Sequence, residues 1–375
     1  MKRQQGRQKQ GHLSPKKQRA FFTIVLLFPL LFFGLLEISL RLFGYGPDLS
    51  LFVTEELAGE TYHVMNAAVK NRYFPSVPFN PTTSPDYFAV PKPEGTYRIF
   101  CLGGSTTVGY PYWYNGSFSS FLRDRLRAIF PERNIEIVNV GMTATNSFTV
   151  NDMARELVLY EPDLFVVYDG HNEFYGALGV ASHESIAQSR WMTKLYLRLI
   201  HFKTFQLLQD AVTSVTRLFN GNDKQPAGST MMEKLARGQY IPYGSTLYRA
   251  GLSTFQENLI ELSHIASEAG VSVLLGSQVS NLRDMPPFVS EDSTSGAGLN
   301  SNSEFRALFQ QGIVFWNRKL VDSALVAFTA ASAIDTLRAD AYYQLARCLD
   351  YLGRKREAEL LYMKARDYDM LRFRM

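Results

Sequence analysis

From Ala20 to Leu36 the chain runs through seventeen uncharged, mostly apolar residues without a break. No other feature limits the possible folds so tightly. The apolar character continues to Phe43, interrupted only by Glu37 and Arg41. As a helix, residues 20–43 would extend about 36 Å at about 1.5 Å per residue, enough for a hydrocarbon core of about 30 Å. Glu37 and Arg41 are spaced to pair on one helix face at the outer boundary. Pro29 is expected to kink the helix. Before the run stand Lys2, Arg3, Arg7, Lys9, Lys16, Lys17 and Arg19, with no Asp or Glu among the first twenty residues. That flank obeys the positive-inside rule. Residues 1–19 read as a basic cytoplasmic tail and 20–43 as a transmembrane signal-anchor. The rest would lie outside the inner cell membrane, periplasmic or extracellular, after a single pass. A core helix and a cleaved signal peptide are the rivals. The run exceeds a typical signal h-region and no small-x-small site follows it, which favours the anchor.

The formal net charge of +4 belongs to that tail. The remaining residues hold 32 basic against 35 acidic side chains, a net of −3, so no nucleic-acid partner is indicated. The two cysteines, Cys101 and Cys348, exclude a dense disulfide framework and a four-cysteine zinc site. Both sit in apolar patterns that suit buried free thiols. There is no His-Glu-x-x-His spacing, no phosphate loop and no dinucleotide glycine fingerprint, so neither metal nor cofactor is expected.

Residues 44–96 hold seven of the sixteen prolines, including Pro75, Pro78, Pro81, Pro85, Pro91 and Pro93. Such a stretch can be neither a continuous helix nor a central strand. With Tyr73, Phe74, Phe79, Tyr87 and Phe88 it is too apolar for a free linker and reads as an extended arm on the domain surface. Residues 97–283 then alternate strand and helix. Tyr97–Gly103, Ile135–Gly141, Asp163–Gly170 and Val271–Gln278 read as buried strands. Helices are expected from about Asn115 or Ser117 to Pro131, over Asp152–Tyr160, within 183–219, and across Leu252–Ala266 with Gly270 at the C-cap. A polar loop is expected around 220–230. This order predicts an α/β domain on a parallel sheet, with active residues just beyond the strand C-terminal ends. Residues 284–303 form a Pro/Ser/Gly-rich linker. Residues 304–375 are helical with a 34-residue period that aligns Gly312 with Ala346, Phe315 with Leu349, Ala324 with Ala358, Phe328 with Tyr362 and Ala331 with Ala365. Those are tetratricopeptide packing positions. Two repeats rarely stand alone, so the pair should pack on the α/β domain or bind a protein or peptide ligand.

Leu102-Gly103-Gly104-Ser105-Thr106-Thr107 places a serine just past the first strand, where glycines allow a tight turn and access to its hydroxyl. On its own the string is equally an ordinary turn or helix cap. The second strand ends in Asn139-Val140-Gly141-Met142-Thr143-Ala144-Thr145-Asn146-Ser147, and the third in Gly170-His171-Asn172-Glu173-Phe174-Tyr175-Gly176. Asp169 and Glu173 flank the third block, where Asp169 suits a turn cap and Glu173 a cap of the following helix.

Together these blocks resemble the GDSL, or SGNH, serine hydrolase family. The strings GGSTTVGYPY, YDGHNEFYG and SNLRDMPPF look like a membrane-anchored bacterial subgroup carrying tetratricopeptide repeats, over about residues 20–375. The resemblance implies a flavodoxin-like three-layer sheet with Ser105 as nucleophile. It also implies an oxyanion hole from a backbone N–H of the second block and the Asn172 amide. Counting from the strand-end asparagine, the family's second-block glycine falls on Ala144, while Gly141 lies three residues earlier, and Gly104 stands where the family often has Asp. The substrate class implied is an ester or an acylated glycan.

The family's base is a histidine in a late Asp-x-x-His block. The six histidines here are His12, His63, His171, His183, His201 and His264, and no such block occurs late in the chain. The chain is therefore expected to be a fragment, one strand short and missing its base, or a natural form without one. His171 is the nearest substitute, although in this block it is better suited to shaping the pocket. The alternatives to an ester hydrolase are a non-catalytic repeat scaffold with a degenerate hydrolase domain, and an O-acetyltransferase acting on an exported polysaccharide.

Overall fold

The computed structural model describes residues 14–74, 81–182, 189–220, 239–290 and 298–373. The elements in chain order are α1 (Pro15–Leu42), β1 (Phe52–Leu57), β2 (Glu60–Met65), β3 (Tyr87–Val90), β4 (Tyr97–Gly103), α2 (Ser105–Val108), α3 (Phe118–Ile129), β5 (Ile135–Asn139), α4 (Ser147–Leu157) and β6 (Leu164–Tyr168). They continue with α5 (Arg190–Leu199), α6 (Lys203–Asn220), α7 (Thr246–Glu268), β7 (Ser272–Leu275), α8 (Gly298–Asn317), α9 (Val321–Ile334), α10 (Ala339–Tyr351) and α11 (Lys355–Tyr368). The chain divides into two units, residues 1–48 with 198–224, and residues 49–197 with 225–375.

In the first unit α1 runs without interruption through Pro29. Its apolar side chains, Phe22, Leu26 and Leu30 among them, are exposed. Among the described residues it is the one helix long and apolar enough to cross a membrane, with a mean hydropathy of 2.4 over its most apolar window. Glu37 and Arg41 form the expected i, i+4 pair at 2.7 Å. Most of the basic tail, residues 1–13 with His12, lies outside the described residues.

The second unit is built on a parallel sheet of order β5-β4-β6-β7. Its register pairs Ile99 with Ile137 and Leu164. Strand alternation sends Ile99 and Cys101 toward Phe118, Leu122 and Leu126 of α3. Phe100 meets the rings of Phe52 at 6.2 Å and Phe88 at 5.4 Å. The outermost strand, β7, departs from the rule that parallel strands are covered on both faces. Leu274 is 58% exposed and Leu275 48%. Among the described residues no strand pairs with its outer edge.

The proline-rich stretch differs from the plain extended arm expected. It holds the antiparallel sheet β1-β2-β3, with Phe52 opposite Met65 and Tyr62 opposite Ala89. Pro85 precedes β3 and Pro91 follows it, so no missing N–H interrupts the ladder. Tyr73 and Phe74 are buried, while Pro75, Pro78 and Phe79 lie outside the described residues. Helix α4 begins at Ser147 rather than Asp152, because Asn146 caps it by accepting the Phe148 N–H at 3.2 Å. The ladders of β5, β6 and β7 stop short of the glycines at 141, 170 and 276, which turn the chain instead. The expected polar loop falls almost wholly within 221–238, outside the described residues.

In the helical region α8 packs with α9, α10 with α11, and α9 with α10. A Cβ at Gly312 would lie 2.6 Å from the Phe328 ring, which is why the position must be small. Ala324, Phe328, Ala331, Ala346, Ala358 and Ala365 are all buried. Helix α8 starts inside the expected linker, whose residues 291–297 lie outside the described set. The helices are fastened to the preceding chain by Arg283–Asp350 at 2.7 Å and by Tyr343 Oη donating to the Arg283 carbonyl at 2.8 Å. Asp369 accepts the N–H groups of Phe288 and Val289 at 2.8 and 3.0 Å.

Arg98 joins the two sheets. Its buried guanidinium donates to Glu136 at 2.6 Å and to the carbonyls of Tyr160 and Ala89 at 2.8 and 2.9 Å. It also lies 4.5 Å over the Phe88 ring. Removing one partner of a buried ion pair costs about 3–5 kcal/mol. Arg98→Ala should lower unfolding stability by about that amount, measured by chemical denaturation of the detergent-solubilised chain. A loss below about 1 kcal/mol would mean that the sheets hold together without it.

Candidate active site

The first strand-end turn is shaped by close backbone approach. A Cβ at Gly103, whose φ is 148°, would lie 2.1 Å from the Tyr168 carbonyl of β6. Only glycine lets β4 leave the sheet there. Thr107 then bonds that same carbonyl through Oγ1 at 3.1 Å. Ser105, the first residue of α2, is half-buried. A Cβ at Gly104 would lie 3.0 Å from Asn172 Nδ2, which brings the third block against the first.

Asn139 governs the second block. Its Nδ2 donates to the Thr107 carbonyl at 2.6 Å and to Ser119 Oγ at 2.8 Å. Its Oδ1 accepts the Gly141 N–H at 2.9 Å. That N–H is therefore spent. Ala144 has a left-handed φ of 63° and is buried, with its carbonyl accepting the Ala177 N–H at 2.8 Å. Asn172 is buried, and its carbonyl accepts the Gly176 N–H at 2.6 Å. A Cβ at Gly176 would lie 2.7 Å from that carbonyl and 3.0 Å from the Ala144 carbonyl. Ser105, Ala144 and Asn172 thus stand on three turns in mutual contact. Among the described residues, the Ser105 N–H, the Ala144 N–H and the Asn172 amide have no acceptor. Donors left without an acceptor on adjoining turns are the kind of group that can receive a developing oxyanion.

His171 is not brought to Ser105. Its ring lies 5.5 Å from the Tyr168 ring and near the Val279 backbone. Burial pushes its pKa below the usual histidine value, with the Val279 contact opposing. Among the described residues the Ser105 hydroxyl bonds to no histidine. His63 packs against Phe88 and Tyr160, and His264 is exposed on α7. His201 belongs to the first unit, where its carbonyl accepts from Arg41, and His183 lies outside the described residues.

Two buried acids flank Asn172. Glu173 does not cap the helix that follows it. It accepts the Ser147 N–H and hydroxyl at 3.1 and 2.7 Å, and so caps the earlier α4. Asn258 Nδ2 donates to the same hydroxyl at 2.8 Å, and Arg190 Nε to Asn258 Oδ1 at 3.0 Å. Burial raises Glu173 well above the usual carboxylate range, and the Asp169 charge adds to it. Asp169 is buried, and neither carboxylate oxygen has a hydrogen-bond partner among the described residues. Burial pushes it up to about 7, the nearby Gly170 N–H pulling the other way without closing a bond. One oxygen lies 3.9 Å from where a Gly104 Cβ would stand. Sequence reasoning treated Asn139 only as a strand end and passed over Asp86, whose carboxylate accepts the Asn139 N–H at 2.9 Å and the Arg123 guanidinium at 2.7 Å. An asparagine two residues before a glycine was the available signal for the first. The second, fifty residues upstream, left none.

Two outcomes follow from this geometry. The left-handed φ at Ala144 costs about 1 kcal/mol with a Cβ present. Ala144→Gly should hold or raise the thermal midpoint, while Ala144→Val, β-branched and buried, should lower stability by about 1–3 kcal/mol. Equal midpoints for Gly and Val would contradict the strain. For Asp169, folded pKa about 7 exceeds the unfolded value near 4, so the folded state binds more protons between them. Stability should fall as pH rises from about 4 to 7, and Asp169→Asn should flatten that fall in denaturant midpoints. An unchanged slope would show Asp169 to be solvated.

No family model matches the chain, and no curated protein matches it. Solved structures are similar to part of it. One is an acetylxylan esterase from Geobacillus stearothermophilus, 14% identical, covering 48% of this chain and 75% of that one at a TM-score of 0.23. Another is an alpha/beta hydrolase from the metagenome of Lake Arreo, Spain, 14% identical, covering 48% of this chain and 76% of that one at a TM-score of 0.20.

Proposed function

We propose that the chain is a membrane-anchored, extracytoplasmic acyl-ester hydrolase or acyl-transfer protein of the SGNH type, with Ser105 as nucleophile. Three uncommitted donors around one serine carry this reading: the Ser105 N–H, the Ala144 N–H and the Asn172 amide. Ser105 Oγ attacks the ester carbonyl, and the carbonyl oxygen takes the negative charge facing those donors. The alcohol leaves with a proton, and the acyl group stays on Ser105. Water completes hydrolysis, or a glycan hydroxyl completes transfer. Gly141 is set aside as a donor because Asn139 holds its N–H. The α/β part takes the three-layer arrangement of that family, α8–α11 act as a tetratricopeptide pair for a protein or peptide, and α1 anchors the chain with Ser105 outside.

In this arrangement no described histidine removes the Ser105 proton, so acylation draws on solvent hydroxide. The same observation favours a second reading, an anchored repeat scaffold with a spent hydrolase site. An activated acetyl ester separates the two. Full-length protein in detergent should form an acetyl-Ser105 adduct, followed by mass spectrometry, at a rate climbing with hydroxide between about pH 6 and 9. Ser105→Ala should abolish the adduct, and Asn172→Ala should slow it by about 10²–10³. A pH plateau lost in His171→Ala would make His171 the base. Equal labelling of wild type and Ser105→Ala would leave the scaffold.

A further inference from the structure

The first unit contains more than a spanning helix. The charges that interrupt the apolar run are used to fasten α6. Glu37 accepts the Lys203 N–H at 3.0 Å, the Thr204 N–H at 2.8 Å and the Thr204 hydroxyl at 2.9 Å. Those are first-turn donors of α6 that would otherwise lack partners. Arg41 Nη2 donates to the His201 carbonyl at 3.1 Å. Lys203 Nζ reaches the Pro47 carbonyl at 2.6 Å, and Tyr45 Oη donates to Asp210 at 2.7 Å. The start of α6 is therefore pinned at the level where α1 turns from apolar to polar.

Beyond that pin, α6 is two-sided. Leu208, Val212 and Val215, at i, i+4 and i+7, share one face and are 58%, 55% and 51% exposed. Asp210, tied to Tyr45, lies on the opposite side, and Ser214 lies toward it. Between α1 and α6 runs a cleft of about 850 Å³ lined by Phe33, Ile38, Phe205 and Leu208. The apolar lining of the cleft is thus continuous with the bilayer-length surface of α1 below and with the exposed stripe on α6.

We infer that α6 is a second membrane contact, lying in the outer interface with its Leu208–Val212–Val215 face among the lipid acyl chains. This rests on reading α1 as the membrane anchor. Lipid is the occupant that continuity selects, since the stripe joins the surface that α1 presents to acyl chains. An amphipathic helix held in this way binds the interface through its buried apolar area. Its geometry also sets the depth at which the first unit sits, because the Glu37–Arg41 pair is both its cap and the polar boundary.

The test uses the full chain in phosphatidylcholine vesicles, carrying single nitroxide labels. Cys101 and Cys348 are buried and leave the introduced cysteines as the reactive ones. Leu208→Cys and Val212→Cys should collide with oxygen several-fold more than with a polar nickel chelate. Ser214→Cys should show the reverse. Phe28→Cys, midway along α1, reports the anchor separately. A Phe28 label in the bilayer with a chelate-accessible Val212 label overturns the inference and leaves the anchor standing. A Val212 label shielded from both reagents means that protein, such as a second copy, covers the stripe, and also overturns it. A chelate-accessible Phe28 label removes the anchor and the inference together.

Discussion

The site depends on one buried side-chain amide. Asn139 is fully buried and bonds in four directions, through its own N–H to Asp86, through Nδ2 to Thr107 and Ser119, and through Oδ1 to Gly141. These contacts tie the end of β5 to the turn that carries Ser105 and to the first turn of α3. They also decide which backbone N–H groups remain available. With the Gly141 N–H committed, the N–H without an acceptor among the described residues lies downstream at Ala144, in a left-handed backbone. Asp86 recruits the segment before β3 into the same assembly, so a residue outside the α/β domain helps to set the turn that carries Ser105. Burial raises the Asp86 carboxyl, while the Asn139 N–H and Arg123 pull it down.

Buried charge is handled in opposite ways in the scaffold and at the site. Each of the three guanidinium nitrogens of Arg98 donates a bond. Arg72 is likewise surrounded by Asp152, Glu156 and the Leu49 carbonyl. Such arrangements trade solvation for several directed bonds and fix how elements meet. Around Asn172 the arrangement is reversed. Glu173 is bonded but crowded by a second acid, and neither carboxylate oxygen of Asp169 has a partner among the described residues. Unpaired groups and a strained alanine are gathered there at one place, local inconsistencies whose cost the rest of the fold must offset.

The parts of this fold that were legible in the sequence are those governed by short-range patterns. Apolar runs marked all four parallel strands, three of them ending in glycine, and the 34-residue spacing marked the small positions found packed between helices. Ser105, Ala144 and Asn172 could be placed on strand ends because each follows such a run. What sequence could not decide was set by contacts between distant residues. Choosing between Gly141 and Ala144 required knowing which N–H Asn139 would take. The direction of Glu173 required knowing that α4 begins at Ser147. The β1–β3 sheet was hidden because its strands are only four to six residues long and the stretch around them is rich in proline, so composition outweighed alternation.

The bare margin of β7 has a colloidal consequence. A strand edge that no described strand pairs with, flanked by exposed Leu274 and Leu275, is a template for pairing with any extended segment that reaches it. The usual guards are a charge or a proline along the margin, and Ser272–Leu275 contains neither. Its protection is brevity, since four residues offer only a short ladder. Anchoring would hold neighbouring copies in a common plane at high local density, where even a short sticky margin favours lateral clustering. For copies brought together in this way, four residues of strand margin would weigh more in association than the net charge of the chain.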